Sequence, residues 1–586
     1  MTIQKQPVDV VIVGMGWAGS IVAKELSDAG LTVVGLERGA LRTQSETFST
    51  PRMFDELPFN IRNALAMDLS RETITFRNSS TETALPMRQI GSFNPGSGTG
   101  GSGVTWSGHT FRNLPSDLSL YSHIRDRYGS NFMPEGMTIQ DWGVTYEELE
   151  PYYDKFEAVA GTSGKAGNLK GKIQAGGNPF EGARSREYAN PALPRTYAGE
   201  LFAKAAKSLG YSPFPVPVSN SSRAYKNPYG VELGECRICG HCANFACTYS
   251  AKASAVSTIL PALLTSKTFE LRTNAYVVRV NLDQARQRAT SVTYINAAGR
   301  EVEQPAKLVF LAAFAYNNAR IMLLSGIGKP YNPKTGEGVI GRNYAYQTLS
   351  NAIAFFDNKN FNPYVAAGGT ATVIDDFNGD NFDHSKLGFI GGGFIGSFIA
   401  GGMPISYRPT PPHTPAWGSG WKKAVVESYQ SATGLNIHAA CQSYRGNYLD
   451  LDPTYKDAWG FPLLRLTFDF TENEHKMSDY ITDKALEIAQ AMGAKQVLPL
   501  RRTGHYDITK YQTTHNTGGT AMGTNPKTSA VNRYLQSWDV HNLFIVGSTV
   551  FPQNTGYNPT GTVGALAYWA VDAIKNRYLK QPGFLA

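Results

Sequence analysis

VDVVIVGMGWAGSIVAKELSDAGLTVVGLER, residues 8–38, decides the fold. Val8 to Val13 is a β-branched run suited to a strand buried on both faces. Gly14, Gly16 and Gly19 follow in the spacing G-x-G-x-x-G, and a helical pattern runs from Ile21 to Ala29. A second apolar run, Leu31 to Leu36, ends at Glu37. Strand, glycine turn, helix, strand and acidic end make one βαβ unit. Its glycines let backbone approach a pyrophosphate, its helix N-terminus faces the phosphates, and its acidic residue bonds ribose hydroxyls. Glu37 argues against a 2′-phosphate, so FAD or NAD fits and NADP does not.

Further along, GSGTGGSG (96–103) is too short for a linker and precedes VTWSGHTFR, so it reads as a cradle of backbone donors. The whole chain has 586 residues, 42% apolar and 17% charged, with 59 Gly and 32 Pro. That mix suits a loop-rich enzyme and excludes a coiled coil or a disordered tail. The net charge of +8 is spread without a Lys/Arg block, which gives nucleic-acid binding no support. A basic surface does suit an anionic substrate, an acidic redox partner or an anionic membrane face.

The N-terminal apolar run flows into the glycine turn, so no signal peptide is expected. The long uncharged window Leu387 to Tyr407 is broken by glycines and Pro404, so it is expected as loop or short strands rather than a spanning helix. Four of five cysteines stand at Cys236, Cys239, Cys242 and Cys247, in CRICGHCANFAC. Zinc usually shows two separated pairs, and disulfides two residues apart would be strained. Closely spaced thiolates suit an iron–sulfur cluster better. Cys441 stands apart and reads as a small buried hydrophobe.

GSGTGGSG, LVFLAAFAYNNARIMLLSGIG (308–328), HNTGGTAMG from His515 and GYNPTGTVGALAYWAVDAI from Gly556 together resemble the GMC oxidoreductases, along the whole chain. The cysteine run, with PEGMTIQDWGVTYEELEP and SAVNRYLQSWDV, is similar to the flavoprotein subunits of bacterial membrane-bound sugar-acid dehydrogenases of the gluconate-oxidising kind. The resemblance implies an α/β fold, a Rossmann-like FAD-binding domain interleaved with an α+β substrate-binding domain on an antiparallel sheet. The flavin domain would use 1–120, 230–345 and 510–586; the substrate domain, with partner-contacting loops, would use 121–229 and 346–509. Alternating runs at Asn351 to Phe356 and Leu463 to Phe470, then a helix over Asp479 to Met492, would build its second part.

On that match His515 is the base that takes the hydroxyl proton, and Asn558 orients the substrate oxygen. The flavin would be held by Gly14, Gly16, Gly19, Glu37, Arg38, Gly100, Gly101, Ser102, Thr105, Trp106, Ser107, Val277, Gly547, Ser548, Asn558 and Thr560. Relatives carry a three-iron (3Fe-4S) cluster, for which one of the four cysteines would be a spectator. They also place a histidine where this chain has Thr105, so FAD is expected to be non-covalent, with His109 the nearby alternative attachment point.

The expected reaction is oxidation of a secondary alcohol of a sugar or sugar acid, first D-gluconate to 2-keto-D-gluconate, with electrons leaving through the cluster to a cytochrome c. A 2-ketogluconate, polyol or glucoside 3-dehydrogenase remains open. An oxygen-linked oxidase would need no cluster, and a non-catalytic flavin/iron–sulfur carrier would need no His515 and Asn558. The resemblance further implies a small signal-bearing subunit, a multihaem cytochrome c membrane subunit, and a place at the periplasmic face of the bacterial inner membrane. Within Leu387 to Tyr407, residues Phe389, Ile390, Phe394, Ile395, Phe398 and Ile399 are the candidates for touching a partner or lipid, unless that window is a buried loop.

Overall fold

The computed structural model describes residues 2–48, 55–91, 93, 95–366, 368–398, 402–510 and 513–585. Val8–Val13 is a strand, and its last four residues are buried. It pairs in parallel with Val33–Leu36 on one side and with the second half of Glu301–Leu311 on the other. Phe269–Arg272 and Leu543–Ile545 extend this parallel layer at its two edges. The apolar runs have no polar alternation because both faces of a parallel sheet are covered. The first half of Glu301–Leu311 leaves that layer and pairs antiparallel with Ala289–Ile295, which pairs in turn with Tyr276–Leu282.

The crossover helix is Trp17–Asp28, four residues earlier than the Ile21 read from periodicity. Its first turn is buried, which hides the amphipathic signal there. Gly14 sits at φ +96°, and a Cβ on Gly19 would lie 1.9 Å from the Gly14 carbonyl oxygen. That close approach lets the helix begin directly after the turn.

Helix Thr560–Ala573 packs against Trp17–Asp28 and against Tyr146–Ala160. The last of these falls in the span 121–229 assigned from sequence to the substrate domain, yet its apolar residues join the core of the parallel sheet. The contact is close because Gly564 has no side chain; a Cβ there would meet the Phe156 ring at 2.1 Å. Tyr153 Oη and Thr562 Oγ1 share a hydrogen bond of 2.8 Å across the same helix pair.

A second sheet is antiparallel throughout, in the order Phe214–Pro215, Thr372–Ile374, Gly393–Gly396, Ala432–Ala439, Thr348–Phe355, Gln496–Leu500. Helices Tyr197–Ser208 and Glu472–Ala491 cover one face with an apolar core. Glu472–Ala491 begins seven residues before the predicted Asp479 because Thr471 and Glu474 form a capping box ahead of a polar first turn. The predicted run Leu463 to Phe470 does not join this sheet. It supplies Pro462–Thr467 to a separate four-stranded sheet with Tyr448–Lys456, Thr75–Arg77 and Leu85–Pro86.

For the apolar residues named in the window Leu387 to Tyr407, the buried alternative holds and the contact surface is corrected. Phe389, Ile390, Phe394 and Ile395 are at most 2% exposed and Phe398 is 7% exposed. Gly393–Gly396 is an interior strand of the second sheet, so these side chains pack inside it. Ile399 lies outside the described residues. Exposed apolar side chains occur at Ile405, near the end of the window, and further along at Trp417 and Val426. Among the described residues, no helix is long and apolar enough to cross a membrane.

Candidate active site

A cavity of about 540 Å³ runs between the parallel layer and the open face of the antiparallel sheet. At one end its wall is glycine backbone. A Cβ on Gly16 would have only the Gly100 carbonyl oxygen near it, at 3.9 Å, and one on Gly101 only the Gly16 Cα, at 3.6 Å. The Gly100 amide donates to the Met15 carbonyl at 2.8 Å, which joins the two glycine segments. Glu37 accepts from the amides of Met15 (3.1 Å), Gly39 (2.9 Å) and Gly98 (3.2 Å), so its carboxylate ties both segments together at the cavity wall. The N-termini of Trp17–Asp28 and Thr560–Ala573 both open here. Backbone donors at helix ends on a side-chain-free wall fit the pyrophosphate of a dinucleotide such as FAD.

Of the sixteen residues expected at the flavin, Gly19 and Gly100 do not line the cavity and the other fourteen do. Gly19 and Gly100 act in packing instead; a Cβ on Gly100 would lie 2.6 Å from Val104 and Val256. Arg38 is held by Glu72 at 2.5 Å. Thr105 donates its hydroxyl to the Ser102 carbonyl at 3.2 Å. His109 is buried with both ring nitrogens engaged, Nδ1 with Ser107 Oγ (3.2 Å) and Nε2 with the Gly368 carbonyl (3.0 Å). Burial lowers its pKa to about 4.

His515 and Asn558 meet at the far end of the cavity. Asn558 Nδ2 donates to His515 Nε2 at 3.2 Å, and His515 Nδ1 bonds Gln347 Oε1. A carbonyl oxygen accepts only, so Nδ1 carries the proton and the Nε2 lone pair is the acceptor of the Asn558 amide at the cavity wall. Enclosure by protein, with a smaller push from His109, lowers the His515 pKa to about 3, so the ring is neutral near pH 7. Asn554 Nδ2 donates to the His515 carbonyl at 2.9 Å and fixes the backbone. Asn558 Oδ1 is buried without a partner among the described residues, an acceptor aimed at whatever fills the space.

The floor at this end is the antiparallel sheet. Asn351 pairs across the ladder with Asn436, and Leu349 with His438. All four line the cavity. His438 stacks on Phe394 at 4.9 Å and stands 6.1 Å from the His515 ring, centroid to centroid. Burial and the two neighbouring histidines keep it neutral. Arg502, two residues past Gln496–Leu500, donates Nε to the Leu349 carbonyl and also lines the cavity. Gln347, Asn351, Asn436, His438 and Arg502 were not read from the sequence. Polar residues at alternate positions of otherwise apolar strands, 347 and 351, 436 and 438, were the available signal.

The cysteine loop packs against the outer side of the flavin segment. Ala243 and Asn244 line the cavity, and the Asn244 amide donates to the Thr105 carbonyl at 2.7 Å. Lys252 is buried between the two, donating Nζ to the carbonyls of Val104 (3.1 Å), Trp106 (2.5 Å), Cys242 (2.6 Å) and Phe245 (2.7 Å). Loss of water pulls its pKa down to about 8, opposed by the nearby thiols. Burial pushes the Cys236 thiol up to about 12, with Cys242, Cys247 and Cys239 adding to the rise. Four closely spaced thiols are the donor set an iron–sulfur cluster takes, while among the described residues no group of three or more His, Cys, Asp or Glu is already placed to hold a metal ion. All five cysteines are free thiols, and Cys441 is buried as expected.

Comparison with known proteins bears on the same residues. The family described as GMC oxidoreductase matches residues 142–348 and 443–567. The chain is 53% identical to the gluconate 2-dehydrogenase flavoprotein of Pantoea cypripedii, over 98% of this chain and 95% of that protein. It is 27% identical to the 2-methyl-1,2-propanediol dehydrogenase of Mycolicibacterium austroafricanum, over 99% and 97% of the two chains. It is 26% identical to the fructose dehydrogenase large subunit of Gluconobacter japonicus, over 97% and 98%. The crystal structure of pyridoxine 4-oxidase from Mesorbium loti superposes with a TM-score of 0.61 at 17% identity, covering 97% and 99%, which supports the fold alone.

Proposed function

Because this chain belongs to the GMC oxidoreductase family and is an FAD-dependent dehydrogenase, we propose that it oxidises a secondary alcohol of a sugar acid, D-gluconate to 2-keto-D-gluconate first. The observation that carries this reading is the neutral His515 on the cavity wall, its unprotonated Nε2 paired with Asn558 Nδ2. Oxidising a carbinol removes two hydrogens in different forms, the hydroxyl hydrogen as a proton and the carbon-bound one as a hydride. Nε2 takes the proton, and the ring becomes imidazolium with its Nδ1 proton still on Gln347. With substrate bound, Asn558 Nδ2 turns from Nε2 to donate to the substrate oxygen, which frees the Nε2 lone pair for the hydroxyl proton. Bound FAD, on the glycine wall and the two helix N-termini, supplies the two-electron acceptor for the hydride. Phe398, Leu349 and Val563 give the same cavity an apolar part, from which bound substrate would displace water.

The four-cysteine loop is the proposed seat of an iron–sulfur cluster. What supports it is position: residues 243 and 244 share a wall with the flavin segment, and Lys252 clamps the two together. A cytochrome c subunit as acceptor, a small signal-bearing subunit and a periplasmic site at the inner membrane belong to the same proposal. Their support is the similarity to proteins described as a dehydrogenase flavoprotein and a dehydrogenase large subunit.

A steady-state assay tests the reading. Gluconate with an artificial acceptor should turn over at the same rate with and without oxygen, and 2-ketogluconate should accumulate. Turnover that needs oxygen, or a preference for glucose, would refute it.

A further inference from the structure

Four charged side chains line the cavity, and three have their charge met. Glu37 is held by backbone amides, Arg38 by Glu72 at 2.5 Å and Arg320 by Asp457 at 2.7 Å. Arg502 has no such partner. Its Nε is spent on the Leu349 carbonyl and its backbone amide on Ser478 Oγ at 2.9 Å, while among the described residues no carboxylate pairs with the guanidinium. Loss of water without a compensating anion lowers its pKa, opposed only by Tyr346. A half-buried cation facing a cavity without a counter-charge is costly unless a ligand supplies one.

Its position in the ladder says which part of a ligand. Leu349, which anchors Nε, is two residues along the chain from Gln347, which precedes the strand Thr348–Phe355 and anchors His515. Two residues of extended chain span about 7 Å. Leu349 also lies opposite His438, whose ring is 6.1 Å from His515. An anion on the free Nη1 and Nη2 therefore sits beside the reacting end, next to the base. Asn351 and Asn436, paired on the same floor, are left for hydroxyls further along the ligand.

We propose that Arg502 is the carboxylate subsite: its guanidinium binds the C1 carboxylate of an aldonic acid in a two-pronged pair and sets the adjacent C2 carbinol before His515. This rests on the sugar-acid reading above and adds to it a specificity-determining residue and a regiochemistry. A planar fork matches a carboxylate in two parallel bonds, and a lysine in its place supplies charge without the fork. The +8 net charge brings anions to this surface but does not choose among them.

The experiment compares D-gluconate with two neutral molecules of the same carbon chain, D-gluconamide and D-glucitol, in wild type, Arg502→Gln and Arg502→Lys. Bound FAD, read by absorbance, and thermal melting establish that each variant is folded and loaded. Wild type should prefer gluconate over both neutral molecules. In Arg502→Gln the gluconate KM should rise about 100-fold, the scale for removing one side of a desolvated charge pair. Its kcat should change much less, and the preference for gluconate over gluconamide should collapse by a similar factor. Arg502→Lys should recover part of that loss. A flavin-loaded Arg502→Gln enzyme with an unchanged gluconate KM would overturn the subsite while leaving the sugar-acid reading in place. Loss of FAD from Arg502→Gln and Arg502→Lys alike would make Arg502 a flavin residue and overturn it too. A wild-type enzyme that prefers glucitol over every aldonate would overturn both readings together.

Discussion

Gln347→Leu isolates what holds the base in its working form. In the native site His515 Nδ1–H donates to Gln347 Oε1, so the lone pair is kept on Nε2 against Asn558. Leucine removes the acceptor at nearly constant volume and leaves a buried N–H unpaired. Such a group costs about 1–3 kcal/mol. The ring can escape that cost by moving its proton to Nε2, with Asn558 turning its carbonyl to accept, but that tautomer has no base. If the whole cost appears in the barrier, kcat/KM falls about 5- to 150-fold. Gln347→Glu makes the complementary test. A carboxylate at Oε1 favours imidazolium, and a charge that close raises a pKa by about 1–3. His515 starts at about 3, so an acid limb in kcat/KM should enter at about pH 4–6 and rate should be lost as pH falls through it. Wild type should stay flat over that range as far as His515 is concerned. The assay is pH-dependent steady state with gluconate and an artificial acceptor, normalised to bound FAD. Wild-type rates and profiles in both variants would refute the assignment of the tautomer and of His515 as the base.

The other expectations are briefer. His515→Ala should keep FAD and lose about 100-fold or more in turnover, the usual scale for a lost general base, whereas Asn558→Ala should lose less; near-native turnover in the loaded His515→Ala enzyme counts against it. Protein purified anaerobically should carry about three to four irons per chain with acid-labile sulfide, and zinc without sulfide would show the cysteine loop to be something else. Acid precipitation should release FAD into the supernatant, since Thr105 offers only a hydroxyl and both nitrogens of His109 are engaged; flavin fluorescence that stays with the denatured chain would contradict this. Burial holds His109 at about 4 against 6.5 when unfolded, so the unfolded chain binds the extra proton and stability is full above 6.5 and lost as pH falls toward 4. Urea unfolding of wild type should lose about 2 kcal/mol more than His109→Gln between pH 6.5 and 5, and equal losses would refute the assignment.

The flavin end of the cavity was legible because its chemistry is local in sequence. Val8–Val13, Gly14, Gly16, Glu37 and the segment from Gly96 to Ser107 act through backbone shape over short spans, and short spans leave motifs. Even there the reading missed roles that depend on packing: Gly19 and Gly100 make room for neighbours and do not touch the cavity. That the helix Tyr146–Ala160, within the span 121–229, packs into the core of the parallel sheet was hidden for a related reason. An amphipathic stripe states that a helix has a buried face and says nothing about which sheet buries it.

The substrate end was illegible because its residues come together only through strand register. Gln347 reaches His515 across 168 positions, and Arg502 reaches Leu349 across 153. No spacing rule connects such pairs, since an antiparallel ladder can be closed by loops of any length. What the ladder does impose is alternation. Leu349 and Asn351 lie on one face of the sheet, and Asn436 and His438 lie on the same face of the neighbouring strand, opposite Asn351 and Leu349; Gln347 stands one residue before the strand. The opposite face is buried under Glu472–Ala491 and is mainly apolar, with Ser350 Oγ accepting from Thr482 at 3.0 Å. A strand that is apolar on one face and carries amides, an imidazole and a neighbouring guanidinium on the other cannot be covered by protein without losing their solvation. The open side of this sheet must therefore meet either water or a polyhydroxylated, charged ligand. Phe398, His109 and the flavin segment line the same space, so a ligand that fills it displaces the water from these groups. The polar floor, the uncompensated guanidinium and the neutral base then point to one ligand, an anion rich in hydroxyls with its reacting carbon beside its charge.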